Sequence, residues 1–374
     1  MQKKIIIIGV IALFVCVGFQ PAFANNKTIS KPVSRGYIQD LIDNASTGDT
    51  IYIPSGTYYE NIVIDKSISL IGEDKDTTVI EGDWESEYVV EISADGVNIS
   101  GFTIQYWDEE YYCGIKLDSC SNTISGNIIL NNGWGIYLYD SNNNTVMGNT
   151  ISNNEVGVYL EYSNSNTITD NNISNNKYGM ELWKTDNSMI RNNDFSNNKY
   201  GIDLEESSSN TITDNTISNN GEGILLYSSN NNNILGNSFF NDGLFVFDSY
   251  DNNVENNMVN GKPLVYLEDE SDKVIDYEVG QVILVNCDNI IAENLNLSNT
   301  DYGIELWKTD NSMIRNNDFS NNKKGIYLRS SNSNNITGNN ISNNKRGIYF
   351  RWYSNSNNIT GNNISSNGHG IYFG

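Results

Sequence analysis

Carboxylates and aromatic rings recur along this chain at a spacing that could hold a sugar. Counting from the glycine that opens each run of the Gly-Ile-Tyr-Leu type, the second and fourth residues are Tyr137 and Tyr139, Tyr159 and Glu161, Glu181 and Trp183, Asp203 and Glu205, then Leu225 and Tyr227. After a break the series resumes with Glu305 and Trp307, Tyr327 and Arg329, and Tyr349 and Arg351. Aromatic faces pack on the apolar faces of pyranose rings while neighbouring carboxylates accept hydroxyl hydrogen bonds. Tyr137, Tyr139, Tyr159, Trp183, Tyr227, Trp307, Tyr327 and Tyr349 are therefore candidate glycan-binding residues. The bland alternative is that Tyr and Trp favour strands and stack on one another.

The acidic members carry a second set of readings. Glu161, Glu181, Asp203 and Glu205, with Glu206, crowd three consecutive units, and like charges placed this closely either raise a carboxylate pKa or call for a cation. Oxygen ligands suit a hard cation, so these four are candidate Ca²⁺ ligands; no cofactor is required by anything else in the chain, and ordinary solvation of an acidic patch explains the same residues. A glycosidase needs paired carboxylates about 5 to 9.5 Å apart, which makes Glu181 with Asp203 or Glu205 the candidate catalytic pair. The motifs of polygalacturonases are only echoed, in Asn299-Thr300-Asp301 and Gly368-His369-Gly370, with no Asp-Asp pair and no Arg-Ile-Lys. A lyase base beside bound Ca²⁺ is not apparent either, because Arg191 and Arg315 fall elsewhere in the unit.

The elements that must position these residues follow from a period. Gly135, Gly157, Gly179, Gly201 and Gly223 lie 22 residues apart, and Gly303, Gly325 and Gly347 repeat the step. Each unit carries short apolar alternations separated by Asn, Ser, Gly and Asp, which predicts three short strands per coil. Twenty-two residues are too few for a helix-pair repeat, and Asn, about one residue in six, opposes helix. The fold class is all-β: a single-stranded parallel β-helix, a solenoid of coils about 22 residues long. Asn127, Asn149, Asn171, Asn193, Asn215 and Asn237, then Asn317, Asn339 and Asn362, share one slot, and stacked Asn can form amide ladders along the axis.

The chain divides accordingly. Residues 1–24 read as a signal peptide, with Lys3 and Lys4, an apolar run from Ile5 to Phe19, and an Ala-Phe-Ala site ending at Ala24. Residues 25–113 hold an N-terminal cap and the first irregular coils; Ile38, Leu41, Ile42 and Ala45 fall on one helical face, predicting a short helix over the open end. Regular coils follow over 114–242. Residues 243–302, with the acidic run from Glu268 to Asp272, read as irregular coils bearing a projecting hairpin or loop, and regular coils return over 303–374. Cys113 and Cys120 bracket a strand of about 23 Å at 3.3 Å per residue, too long for a disulfide.

A formal charge of -24 with a single His excludes nucleic acid as a partner, since phosphate binding needs Lys and Arg, and it favours neutral or cationic glycans over uronates. No later segment of the mature chain is apolar enough to span a bilayer. The expected destination is secreted or cell-surface, and ten Asn-x-Ser/Thr sequons, among them Asn98, Asn172, Asn340 and Asn363, are compatible with glycosylation there.

The N-terminal GDTIYIPSGTYYENIVIDKSISLIGEDKDTTVIEG, the GFTI at 101–104, the Asn-rich coils and the GKPLVYL interruption resemble NosD-like proteins of the carbohydrate-binding and sugar-hydrolase (CASH) type. That resemblance implies a right-handed, pectate-lyase-like β-helix on secreted or surface proteins, many of them archaeal. It also implies a copper-accessory role, against which one His, scattered Met and isolated thiols give no soft-ligand cluster. The leading expectation is a glycan-binding or structural, adhesive envelope module, whose partners would be a polysaccharide or surface glycan and other envelope proteins. A polysaccharide-modifying enzyme using the acidic stripe is the alternative. One further feature sharpens the test: ELWKTDNSMIRNNDFSNNK occurs identically at 181–199 and 305–323, which by period alone should place Trp183 and Trp307 on the same outward face.

Overall fold

A computed structural model describes residues 36–83, 86–106 and 112–374; the signal-peptide assignment lies outside the described residues. The structure is a parallel β-solenoid of about 14 turns with one short helix near its N-terminus. That helix, Tyr37–Asn44, buries Ile38 and Ile42 in the core. Glu60 caps it from outside, its carboxylate accepting the Ile38 and Gln39 amides at 3.0 and 3.1 Å. Cys113, Cys120 and Cys287 are unbridged. Among the described residues no helix is long and apolar enough to cross a membrane.

In the first half each coil contributes one strand to each of three sheets, in exact chain order up a ten-stranded, a sixteen-stranded and a nine-stranded sheet. Inward Ile, Leu and Val fill the core, and Asn residues at the corners bond coil to coil. The Asn171 amide donates to Asn193 Oδ1 at 3.0 Å and the Asn193 amide to Asn215 Oδ1 at 2.9 Å, while Asn193 Nδ2 also satisfies the Ile168 and Arg191 carbonyls. The left-handed conformation at this corner falls one residue earlier, on Gly148, Asp170, Asn192 and Asp214. The opening glycines are fixed by close approach: a Cβ on Gly201 would sit 2.5 Å from the Gly223 carbonyl oxygen. Replacing Asn193 by Ala strands several buried backbone groups and should cost about 2 to 4 kcal/mol, against less than about 0.5 for exposed Asn172. Thermal melts of the two variants measure the difference.

The break in the period contains a chain reversal, made by a tight hairpin. Met258–Val259 pairs antiparallel with the start of Lys262–Glu268 through a two-residue Asn260-Gly261 turn, both residues left-handed at φ 51° and 79°, the geometry that Asn-Gly favours in hairpins. The last six strands of the sixteen-stranded sheet, from Lys262–Glu268 to His369–Phe373, therefore run opposite to the first ten. These six include the Gly-Ile-Glu-Leu type strands, which in the first half form the nine-stranded sheet instead.

One strand shows the consequence. Every residue of Gln281–Val285 is buried: Val282 and Leu284 belong to the core of the second half, while Ile283 and Val285 belong to the core of the first. The outward side of the second half's strands thus closes the end of the first solenoid. The terminal strand of the nine-stranded sheet, Leu244–Phe247, has no successor in register, and side chains from the second half replace it. Gln281 accepts the Leu244 amide at 3.0 Å and donates to the Leu244 carbonyl at 2.7 Å, and Glu305 accepts the Val246 amide at 3.3 Å. Asp301 accepts the Gly243 amide at 3.0 Å. An edge that would otherwise recruit another strand is occupied.

Candidate functional site

The outward face of the nine-stranded sheet carries most of the residues singled out by type and spacing. In register, Tyr137, Tyr159, Glu181, Asp203, Leu225 and Phe245 form one column, and Tyr139, Glu161, Trp183, Glu205, Tyr227 and Phe247 the next. A third column, with Trp134, Tyr178, Tyr200 and Glu222, flanks them. Period-2 alternation put the first two columns outward; the third sits just before the opening glycine and has no alternation to announce it.

Within this face the rings are not equivalent. Tyr137 and Tyr159 stack on one another, centroids 5.2 Å apart and planes 9° apart, and the Tyr137 hydroxyl donates to Glu161 at 2.5 Å. Their faces are used by each other. At the edge of the sheet Tyr139 and Tyr162 are exposed by 44% and 39%. Tyr162 packs edge-on to Tyr139 at 6.4 Å and tilted to Trp183 at 5.1 Å, and the Lys184 ammonium sits 4.6 Å from the Trp183 ring centre. Tyr162 was invisible to spacing because it occupies the left-handed corner position, φ 51°, where a bulky ring is uncommon.

The second-half candidates go elsewhere. Trp307, Tyr327 and Tyr349 are buried, at 2%, 2% and 7% exposure, so the expectation of one continuous outward ladder is corrected. Reversal of the chain turns their face onto the first half. Trp307 packs against Phe247 and Tyr250, and Tyr327 against Phe245 and Tyr302. Tyr227 lies half-buried at the same corner, tilted against Phe245 at 5.5 Å. Lys324 closes the corner, 3.9 Å from the Tyr302 ring centre and 3.5 Å from Glu222; burial pulls its ammonium pKa down against the neighbouring carboxylates.

The acidic column meets this corner. Burial first, and the Glu181, Glu205 and Glu222 charges second, raise Asp203 to about 7; burial and Glu205 likewise raise Glu181. Asp203 Oδ1 is shut off from water without a hydrogen-bond partner. Among the described residues no three His, Cys, Asp or Glu side chains converge as a metal-holding group, so the structure does not gather Glu161, Glu181, Asp203 and Glu205 into a ready Ca²⁺ site.

Because the folded chain holds the Asp203 proton more tightly than the unfolded one, this group's contribution to stability is full below its unfolded pKa and is lost as pH rises through about 7. Asp203→Asn, which mimics the protonated acid, should leave stability unchanged at about pH 3 and raise it by about 1 to 3 kcal/mol at about pH 8. Thermal midpoints of the two chains across that range check this, and parallel curves would refute it.

With the coils, corners and faces in place, a family model described as Periplasmic copper-binding protein (NosD) matches residues 42–242, 164–266 and 241–373. The chain belongs to the NosD family. The overlapping matches to this NosD chain straddle the reversal at Asn260-Gly261, so both halves carry the family pattern. Among solved structures, DFA-IIIase from Arthrobacter chlorophenolicus A6 without its lid is similar at TM-score 0.51 and 12% identity, over 78% of this chain and 83% of that one. The Dettilon tailspike protein (gp208) gives TM-score 0.46 and 16% identity, over 90% of this chain. The NosD chain spans 63% of that tailspike's length. The A-module of Azotobacter vinelandii mannuronan C-5 epimerase AlgE4 gives 0.38 and 16%, over 87% and 88% of the two chains. At such identities the likeness is one of fold, a parallel β-helix. No curated protein sequence matches the chain.

Proposed function

We propose that this NosD-family protein is an extracytoplasmic glycan-binding β-helix, an adhesive or structural envelope module whose grip is the open face of the nine-stranded sheet. The observation that carries this is the rim where exposed Tyr139 and Tyr162 meet half-buried Trp183, beside the carboxylates of Glu181, Asp203 and Glu205, one strand apart in register. Rings with one wet side suit pyranose faces, and carboxylates beside them accept hydroxyl or ammonium donors. The acidic face and a net charge of -24 favour neutral or amino sugars over uronates.

Calorimetry with neutral, amino-sugar and uronate oligosaccharides tests it. Binding to a neutral or amino sugar should weaken about tenfold or more in Trp183→Ala, equivalent to about 1.4 kcal/mol. No binding to any of the three classes, or binding indifferent to Trp183, sinks the proposal.

A second reading, a polysaccharide-modifying enzyme, rests on one observation: Asp203, raised to about 7, lies in register beside Glu181. A carboxylic acid still protonated near neutrality beside another carboxylate is the pairing acid–base chemistry requires. Release of shortened or altered sugars from a polymer, abolished in Asp203→Asn, would favour it over simple binding.

The family description also names copper, and the residues here do not fit it. Burial drives the Cys113 thiol well above the ordinary range and raises Cys287 too, and both are buried. With no convergent group of soft ligands among the described residues, no step through copper is assigned.

A further inference from the structure

Asp301 and Lys323 occupy one slot of consecutive coils, 22 residues apart. The same slot holds Glu155 and Lys177, which form an ordinary surface ion pair at 2.6 Å with both side chains nearly half exposed. At 301 and 323 the surroundings differ in three ways. Lys323 Nζ lies 2.8 Å from Asp301 Oδ1, and both atoms are sealed from water with no partner but each other. Asp301 Oδ2 accepts two backbone amides from the first half, Gly223 at 2.8 Å and Gly243 at 3.0 Å. Asp242, whose Oδ2 is held by the Asn220 amide and side chain at 3.0 and 2.9 Å, keeps its Oδ1 buried and unpartnered, and Thr300, next to Asp301 in the chain, donates its hydroxyl to the Asp242 carbonyl at 3.0 Å.

We propose that Lys323 and Asp301 condense into an intramolecular isopeptide bond, with Asp242 as proton carrier and the Gly223 and Gly243 amides as the oxyanion site. Two converging N–H donors on one carboxyl oxygen stabilise the negative charge that develops when Cγ is attacked. A nucleophile held in contact with its target reacts at a large effective concentration. Asp242, whose free Oδ1 does not touch Lys323 before reaction, takes one proton from the Lys323 ammonium when that side chain swings to it, freeing the lone pair to attack Asp301 Cγ and form the C–N bond. Asp242 then returns that proton to Oδ1. As the C–Oδ1 bond breaks, a second proton leaves the nitrogen with it, and Oδ1 departs as water; the cleft beside Lys323, lined by Asn299, Thr300 and Asn321, gives it a path. Ammonium and carboxylate become amide and water, with nothing oxidised or reduced. The product removes two charges whose burial is costly, and burial already holds Asp242 near 7, where donor and acceptor forms coexist.

All three catalytic contributions, Asp242 and the Gly223 and Gly243 amides, come from the first half and both reacting groups from the second. The bond would therefore form only after the reversed half docks, recording that docking covalently.

Intact mass and peptide mapping of the full chain under denaturing conditions test the proposal. The chain should weigh one water less than its processed sequence, and digestion should yield one branched fragment joining the Asp301 and Lys323 peptides. Lys323→Arg should restore the full mass, Asp301→Asn should lose ammonia instead of water, and Asp242→Asn should leave the linked fraction strongly reduced in a chain whose circular dichroism is unchanged. A wild-type chain at full mass that yields two separate peptides overturns the proposal and leaves an ion pair only; that outcome needs no variant to fold and is independent of glycan binding.

Discussion

Trp307→Ala should destabilise the protein by about 3 to 5 kcal/mol, the range for removing a buried large aromatic, while Trp183→Ala, within an identical nineteen-residue string, should cost less than about 1. Trp307 is 2% exposed and belongs to the first-half core, packed on Phe247 at 5.8 Å and Tyr250 at 4.7 Å. Trp183 lies at an open rim, covered by Tyr162 and Lys184 alone among the ring and cation contacts described. Both keep the neighbouring lysine over the ring, Lys184 at 4.6 Å and Lys308 at 5.1 Å, so local sequence accounts for that contact and for nothing of the difference. Thermal and urea unfolding of the pair measure it. Equal losses would mean that the two halves do not pack through this face.

Gln281→Leu should cost about 2 to 5 kcal/mol, although the volume and the buried position are kept. The Gln281 amide replaces a missing neighbouring strand, bonding both the amide and the carbonyl of Leu244, and Leu leaves both backbone groups buried and unpaired at about 1 to 3 kcal/mol each. The effect should be local as well as large, because solenoid stability is a sum over neighbouring coils. Hydrogen exchange should show the Leu244 amide losing protection while coils near Ile151 keep theirs. Uniform loss of protection, or none, would contradict the edge-capping role.

Much of the fold is legible in residue types because each coil sees only its neighbours. Inward Ile151, Ile173 and Ile217, the corner ladder through Asn193 and the close-packed Gly201 all repeat a local requirement, and repetition makes such requirements visible. The helix at Tyr37–Asn44 follows from one apolar face. The reversal was half visible: Asn260-Gly261 is a hairpin dipeptide, and the stretch 282–285 reads as an unbroken apolar run, the signature of a strand buried on both sides. Read as interruptions of a period, these residues suggest a projection; read as a wall between two cores, they give the observed turn.

The candidate site divides on the same line. Glu181 and Asp203 were placed side by side by the 22-residue step, and the structure keeps them so. Tyr162 escaped because a corner position carries no alternation, and Glu222, Lys324 and Tyr302 escaped because they come within reach only across the reversal, with 102 residues between Glu222 and Lys324.

By itself the sequence determined the coil, its ladders and which side of each strand faces outward, since these depend on contacts within one period. Whether an outward face meets water or protein was decided only by the tertiary structure. Two identical strings carry identical local preferences, and their difference lies in what is brought against them: solvent at Trp183, the end of another core at Trp307. That choice is made where the chain turns back, far from either string, by burial of apolar surface that neither copy encodes alone.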